Sequence, residues 1–354
     1  MKIHFPLIFL TVLCFLNCEQ KTTTLYVGTY TDGDSEGIYQ FQFNSETGAL
    51  TNKQLATISE NPSFITYSPD KKYLYAVNET DNGAVSAFKV ASDDALSFIN
   101  KASTHGANPC HVALNENGNK AVVSNYTGGN FALYTVKNDG TLTEAFQILD
   151  QTTDSMVSHA HSAQFYNDEL YTSNLGRNAV FNYRLSNNTY ELIAPSIVEI
   201  DDNSGPRHFS LTKDGKFIYI INELSSTITA ARKIENGFER IETVSTLDPN
   251  FKGESYCADI HLSEDEQFLY GSNRGENSIV VFKRDATSGA LNRIQNIQVN
   301  GDWPRNFTLD PTGKFILVAN QKSNNIAVFK VDKTNGELRF LHEVELPSPV
   351  CLLF

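Results

Sequence analysis

One pattern recurs through this chain at a spacing of about 48 residues, and it leaves few folds open. A short apolar strand leads into a turn rich in Asp, Asn or Gly. A second strand then ends in Asn, and a third strand follows. The unit reads "NPSFITYSPDKKYLYAVNETDNGAVSAFKV" from Asn61 and "NPCHVALNENGNKAVVSNYTGGNFALYTV" from Asn108. It returns as "HAHSAQFYNDELYTSNLGRNAVFNYRL" from His159 and "GPRHFSLTKDGKFIYIINELSST" from Gly205. "CADIHLSEDEQFLYGSNRGENSIVVFKR" from Cys257 and "WPRNFTLDPTGKFILVANQKSNNIAVFKV" from Trp303 complete six copies. The Asn that ends each second strand falls at positions 78, 125, 174, 222, 273 and 320. A seventh copy is split: "SPVCLLF" at the C-terminus supplies a first strand, and "TLYVGTYTDGDSEGIYQFQF" near the N-terminus supplies a second and third. Joining them closes a ring, so no sheet edge at the closure is left unpaired. The spacing, at four strands per unit, predicts an all-β fold: a seven-bladed β-propeller closed by pairing of its N- and C-terminal strands. "TGALTNKQLATI" and "TNGELRFLHEVEL" are then outer fourth strands. At 354 residues the chain would ordinarily suggest two domains, but a closed all-β ring accommodates that length as one.

The N-terminus "MKIHFPLIFLTVLCFLNCEQ" has a basic start and an apolar core of roughly 12 residues, too short to span a bilayer and suited to an export signal. "FLNC" ending at Cys18 resembles a bacterial lipoprotein cleavage box, although Asn17 stands where a small residue is usual. The reading is a leader over residues 1–18 with lipidation at Cys18, a short tether over 19–23, and one propeller over 24–354. The protein would be exported, periplasmic or at the cell surface, touching a membrane only through that lipid. A net charge of −13 argues against nucleic-acid partners. Of five cysteines, Cys14 and Cys18 belong to the leader. Cys110, Cys257 and Cys351 have neither the number nor the spacing of a disulfide framework or a zinc site. No motif asks for a cofactor, and none speaks to oligomeric state.

In a propeller the first strand of each blade lines the central channel, and its start lies beside the end of the second strand. In "GPRHFSLTKDGKFIYIINE" the turn centres between Asp214 and Gly215, so Arg207 is expected opposite Asn222 and diagonal to Glu223. Sliding the other copies onto this register, with a turn two residues shorter at His161, gives two rings. Ser63, Cys110, His161, Arg207, Ala258, Arg305 and Val350 form one; Tyr30, Glu79, Tyr126, Leu175, Glu223, Arg274 and Gln321 form the other. Charge concentrates in four consecutive blades, where His161, Arg207, Glu223, Arg274 and Arg305 point to one mouth. Gathered Arg side chains repel unless an anion joins them, so the cluster reads as a pocket for an anionic small molecule. Glu79, Asn222 and His111 flank it as candidate substrate contacts. A structural Arg207–Glu223 ion pair is the plainer reading of that pair. His159 and His161 share a strand face, but no third metal ligand joins them. Cys110 falls in the ring as a packed small thiol rather than a nucleophile.

The motifs "LYVGTYT", "NPSFITYSPDKKYLYAVNE", "HAHS", "GPRHF" followed by "NE", and "WPRNF" followed by "VANQ" resemble those of the seven-bladed propeller lactonase (6-phosphogluconolactonase) family. The likeness runs from about Thr24 to Phe354, and the fungal muconate-lactonizing propellers look like structural relatives. It implies hydrolysis of a sugar lactone, 6-phosphogluconolactone or a related aldonolactone, without a metal or cofactor. By the same resemblance His161, Arg207, Glu223 and Arg274 match the acid/base and anion-holding positions, and Arg305 could reach a phosphate or second acid group. Which of His161 and Glu223 is the base stays open. Two alternatives stand beside it: a lactonizing cycloisomerase, which would use the same His, Glu and Arg residues, and a non-catalytic surface propeller that binds a ligand or partner.

Overall fold

The computed structural model describes residues 22–354, so the leader and Cys18 lie outside the described residues. Twenty-eight strands form seven four-stranded antiparallel sheets. The closing blade draws its inner strand from the C-terminus, Pro349–Leu353, and its other three from Thr22–Thr29, Gly37–Asn44 and Leu50–Ile58. Tyr26 pairs with Leu353, Val27 with Leu352 and Gly28 with Cys351, as the split repeat requires. The first of these strands starts at Thr22, two residues inside the expected tether. Counted in chain order from this closing blade, the inner strand of the fifth is Pro206–Leu211. Each inner strand touches the inner strand of the next blade, and the seven enclose the channel.

Apolar burial is organised between blades rather than around the axis. Seven buried clusters each join two adjacent sheets. One packs Phe217, Tyr219 and Ile228 of the fifth blade against Leu269, Val280 and Phe282 of the sixth. Each such side chain contributes about 1.5–3 kcal/mol on burial. Stability is thus distributed around the ring, and the axis is left free to hold polar groups. The repeated Asn has a structural reason. Nδ2 of Asn78, Asn125 and Asn273 donates to a carbonyl of the segment arriving from the preceding blade, at 2.7, 2.8 and 3.1 Å. At these three blade-to-blade crossings the bond gives the arriving carbonyl a partner. The "KDGK" turn needs its glycine, because Gly215 has φ +66° and a Cβ there would meet the Tyr166 hydroxyl at 2.5 Å.

One detail of register differs from the expectation. Pro206, not Arg207, pairs with Asn222, and His208 then pairs with Ile221, so Arg207 is the extra residue of a β-bulge. The same irregularity leaves Cys110, His161, Arg305 and Val350 unpaired in their own blades. A bulge re-aims one side chain out of the strand's alternation. Repeated around the ring, it turns a tier of residues towards one mouth of the channel.

Candidate active site

Glu223 is the hub of that mouth. Its Oε2 lies 3.0 Å from Arg207 Nε and 2.9 Å from Arg274 Nη2. Both guanidiniums are buried, and backbone carbonyls fix them in place. Arg207 Nη1 donates to Ala258 O at 2.5 Å, and Arg274 Nη2 to Cys257 O at 2.9 Å. The Ser162 and Ser173 hydroxyls in turn donate to the carbonyl of Arg207, at 2.9 and 2.5 Å. Burial alone would raise the Glu223 pKa, but attraction from Arg274, Arg207 and Arg305 outweighs it and holds the carboxyl below its usual range. Arg207 is lowered as well, but for another reason: burial, then repulsion from Arg274, brings it to about 10, so it stays charged at neutral pH.

The remaining rim groups close the cluster. Arg305 Nη2 lies 3.5 Å from Glu79 Oε2, with its guanidinium over the Tyr30 ring at 5.3 Å. The Tyr30 hydroxyl donates to the same Glu79 oxygen at 2.9 Å. His161 is 4% exposed; its Nδ1 lies 3.9 Å from Cys110 Sγ, and no described residue hydrogen-bonds its Nε2. Burial first, and then the charge of Arg207, lowers the His161 pKa well below the ordinary value, so the imidazole is neutral near pH 7. Burial pushes the Cys110 thiol up to about 12, and Sγ is turned to the His161 carbonyl at 3.3 Å. His159 stacks on Tyr126 at 4.6 Å and 18° instead of joining His161.

The structure therefore brings His161, Arg207, Glu223, Arg274, Arg305 and Glu79 together. Two expected contacts go elsewhere. Asn222 is fully buried and turns its amide into its own blade, donating to Thr227 and Thr229 at 3.0 Å each, because the bulge pairs it with Pro206. His111 follows the bulge at Cys110 and lies in a second tier, deeper along the channel. There it packs on Phe64 at 4.3 Å and lines a cavity of ≈ 310 Å³ with His208, His261, Asp259 and Asn306. Asp259, which sequence reasoning missed, organises this tier. It accepts from His208 Nδ1 at 2.8 Å, His261 Nε2 at 3.0 Å and Asn306 Nδ2 at 2.6 Å. His208 in turn lies 3.4 Å below Arg207 Nη1 through Nε2. An acid in the middle of a first strand, "CADIH", was the available signal. Trp303 was also missed; its ring lies 5.3 Å from the Arg274 guanidinium carbon and 3.3 Å from Lys322 Nζ.

The fold and site define a closed seven-bladed propeller with a cationic, carboxylate-braced mouth and a neutral histidine at one end of its channel. The chain belongs to the family described as lactonase, 7-bladed beta-propeller, which matches residues 24–354. It is 35% identical to the 6-phosphogluconolactonase of Formosa agariphila over 82% of this chain and 88% of that protein. It is 31% identical to the 6-phosphogluconolactonase of Bacillus subtilis over 93% of this chain and 97% of that one. The solved structure of the Pseudomonas aeruginosa periplasmic gluconolactonase matches with a TM-score of 0.88 and 30% identity, covering 93% of this chain and 98% of that one.

Proposed function

We propose that this protein hydrolyses a sugar lactone to its open acid, with His161 as the base and the paired guanidiniums of Arg207 and Arg274 as the oxyanion site. The relatives named 6-phosphogluconolactonase and gluconolactonase support the reaction class. The observation that carries the assignment of roles is the double clamp on Glu223. A carboxylate held by two arginines and below its usual pKa is a poor proton acceptor, whereas a neutral imidazole with a free Nε2 is available. His161 takes a proton from water as the water oxygen bonds to the lactone carbonyl. Negative charge builds on the carbonyl oxygen beside Arg207 and Arg274, where each well-placed donor contributes about 10²–10³ in rate. Collapse breaks the bond to the ring oxygen, which receives the proton back from His161, and the new acid ionises. Glu223 holds the two cations in register and keeps them from binding the product carboxylate too tightly.

The test is acid release in a pH-stat on gluconolactone and 6-phosphogluconolactone, above the spontaneous background. Acceleration that His161→Gln loses by about 100-fold or more supports the reading; no acceleration on either lactone overturns it. We further infer export and lipidation at Cys18, on the strength of the basic, apolar and Cys-terminated leader. Radiolabelled palmitate should be incorporated by the full chain and not by its Cys18→Ala variant.

A further inference from the structure

Five inner strands are entered through a residue that precedes proline and has a left-handed backbone. These are Asn61 (φ 39°), Asn108 (53°), Gly205 (68°), Trp303 (67°) and Ser348 (43°). Gly and Asn reach this region at small cost and a small Ser less readily; a bulky aromatic residue is an outlier there. The position that breaks the rule holds the chain's one tryptophan. Strain of this kind persists only where the surroundings over-determine it, and it concentrates at functional sites. Here Trp303 N donates to Asn277 Oδ1 at 3.0 Å, and Trp303 O accepts from Gln321 N at 3.1 Å. The backbone is thereby pinned, and the indole is held at the mouth beside Arg274.

What the indole carries is Lys322. Its Nζ sits 3.3 Å from the ring centroid and, among the described residues, meets neither a carboxylate nor a hydrogen-bond acceptor. Every other cation of this mouth is committed: Arg207 and Arg274 to Glu223, and Arg305 to Glu79. Lys322 is exposed and follows Gln321, the residue at the ring position of Glu223. Cation–π attraction parks an ammonium without neutralising it. A phosphate dianion offers that ammonium charge-assisted hydrogen bonds, which are the stronger partner.

We propose that Lys322, braced on Trp303, is a subsite for a phosphomonoester on the substrate, so that this chain prefers a phosphorylated sugar lactone. Arg305, which the sequence put forward for that role, is already neutralised by Glu79. The proposal rests on the lactonase reading for its substrate, but its test does not depend on turnover. Trp303 is the chain's single indole, so emission excited selectively from the indole, and not from the 15 tyrosines, reports on this position alone. Titrating the product acids 6-phosphogluconate and gluconate, with inorganic phosphate as a third arm, should change emission at concentrations at least ten-fold lower for 6-phosphogluconate than for the other two. Lys322→Ala should erase that preference and Lys322→Arg should restore most of it. The same Lys322→Ala change should lower kcat/KM on 6-phosphogluconolactone at least ten-fold more than on gluconolactone. Equal response to both acids, a preference that survives Lys322→Ala, no response to 6-phosphogluconate, or inorganic phosphate acting at the same concentration would each overturn the subsite. A Lys322-dependent preference in a protein that opens neither lactone would keep the subsite and remove the lactonase reading.

Discussion

Arg207 Nε stands 3.0 Å from Glu223 Oε2 as an ion pair, yet its N–H is not aligned on that oxygen and has no hydrogen-bond acceptor in the protein. A buried donor left without an acceptor is costly, and it is a group that a substrate oxygen could satisfy. The geometry of the pair therefore separates attraction, which positions the guanidinium, from hydrogen bonding, which is held in reserve.

Glu223→Gln should expose that division of labour. The amide keeps the shape but removes the charge between Arg207 and Arg274, so the mouth becomes more cationic and less ordered. We expect kcat to fall about 100-fold while the product acid binds more tightly, because its carboxylate can replace the missing one. Initial rates with added product separate the two effects. A variant with normal kcat, or with weaker product inhibition, would contradict the role given to Glu223.

The pH profile follows from His161. Its folded-state pKa is depressed by burial and by the nearby guanidiniums, so its base form is already complete at pH 6.5 and persists below it. The rate constant kcat/KM should stay level as pH falls from 8 to 6.5 and decline only at lower pH. An acid limb centred near 6.5, the ordinary histidine value, would show that His161 is not the base or is not shielded from water.

Cys110 lies in the same tier as His161 and Arg207, which invites a nucleophilic reading. With its thiol pushed up to about 12, almost none is thiolate at neutral pH. Iodoacetamide at pH 8 should leave activity intact over hours, and Cys110→Ala should retain it to within a few-fold. Rapid inactivation that Cys110→Ala prevents would restore the nucleophile.

The fold and the rim were legible in the sequence to different degrees, for physical reasons. The ring could be read because six blades repeat a turn and a buried Asn, and because "SPVCLLF" has a partner only at the other end of the chain. Which residues reach the mouth could be read because a propeller fixes where inner strands begin. The bulge could not: an extra residue leaves the apolar alternation nearly unchanged, and its effect is to move Asn222 from Arg207 to Pro206. That one-residue shift is why Asn222 and His111 looked like rim residues. Asp259 and Trp303 were hidden for another reason. Their meaning depends on neighbours from other blades: His208 and Asn306 for one, Arg274 and Lys322 for the other. No periodicity within a single repeat encodes those pairings.

Asp259 gives the sharpest stability test. Oδ1 accepts from His208 Nδ1 and Ile260 N, and Oδ2 from His261 Nε2, Asn306 Nδ2 and Phe307 N. Five donors from three blades converge on one buried carboxylate, and His261 and His208 hold it well below its usual pKa against the opposing effect of burial. Asp259→Ala strands all five and should cost about 3–5 kcal/mol. Asp259→Asn keeps the volume, so it would be mild if packing were what mattered. An amide, however, turns one acceptor into a donor that faces other donors, whichever way it is flipped. Urea unfolding at pH 7 should therefore find Asn nearly as damaging as Ala. If Asn proves close to wild type, the residue acts through its shape, and the second tier is held together by packing rather than by its charge.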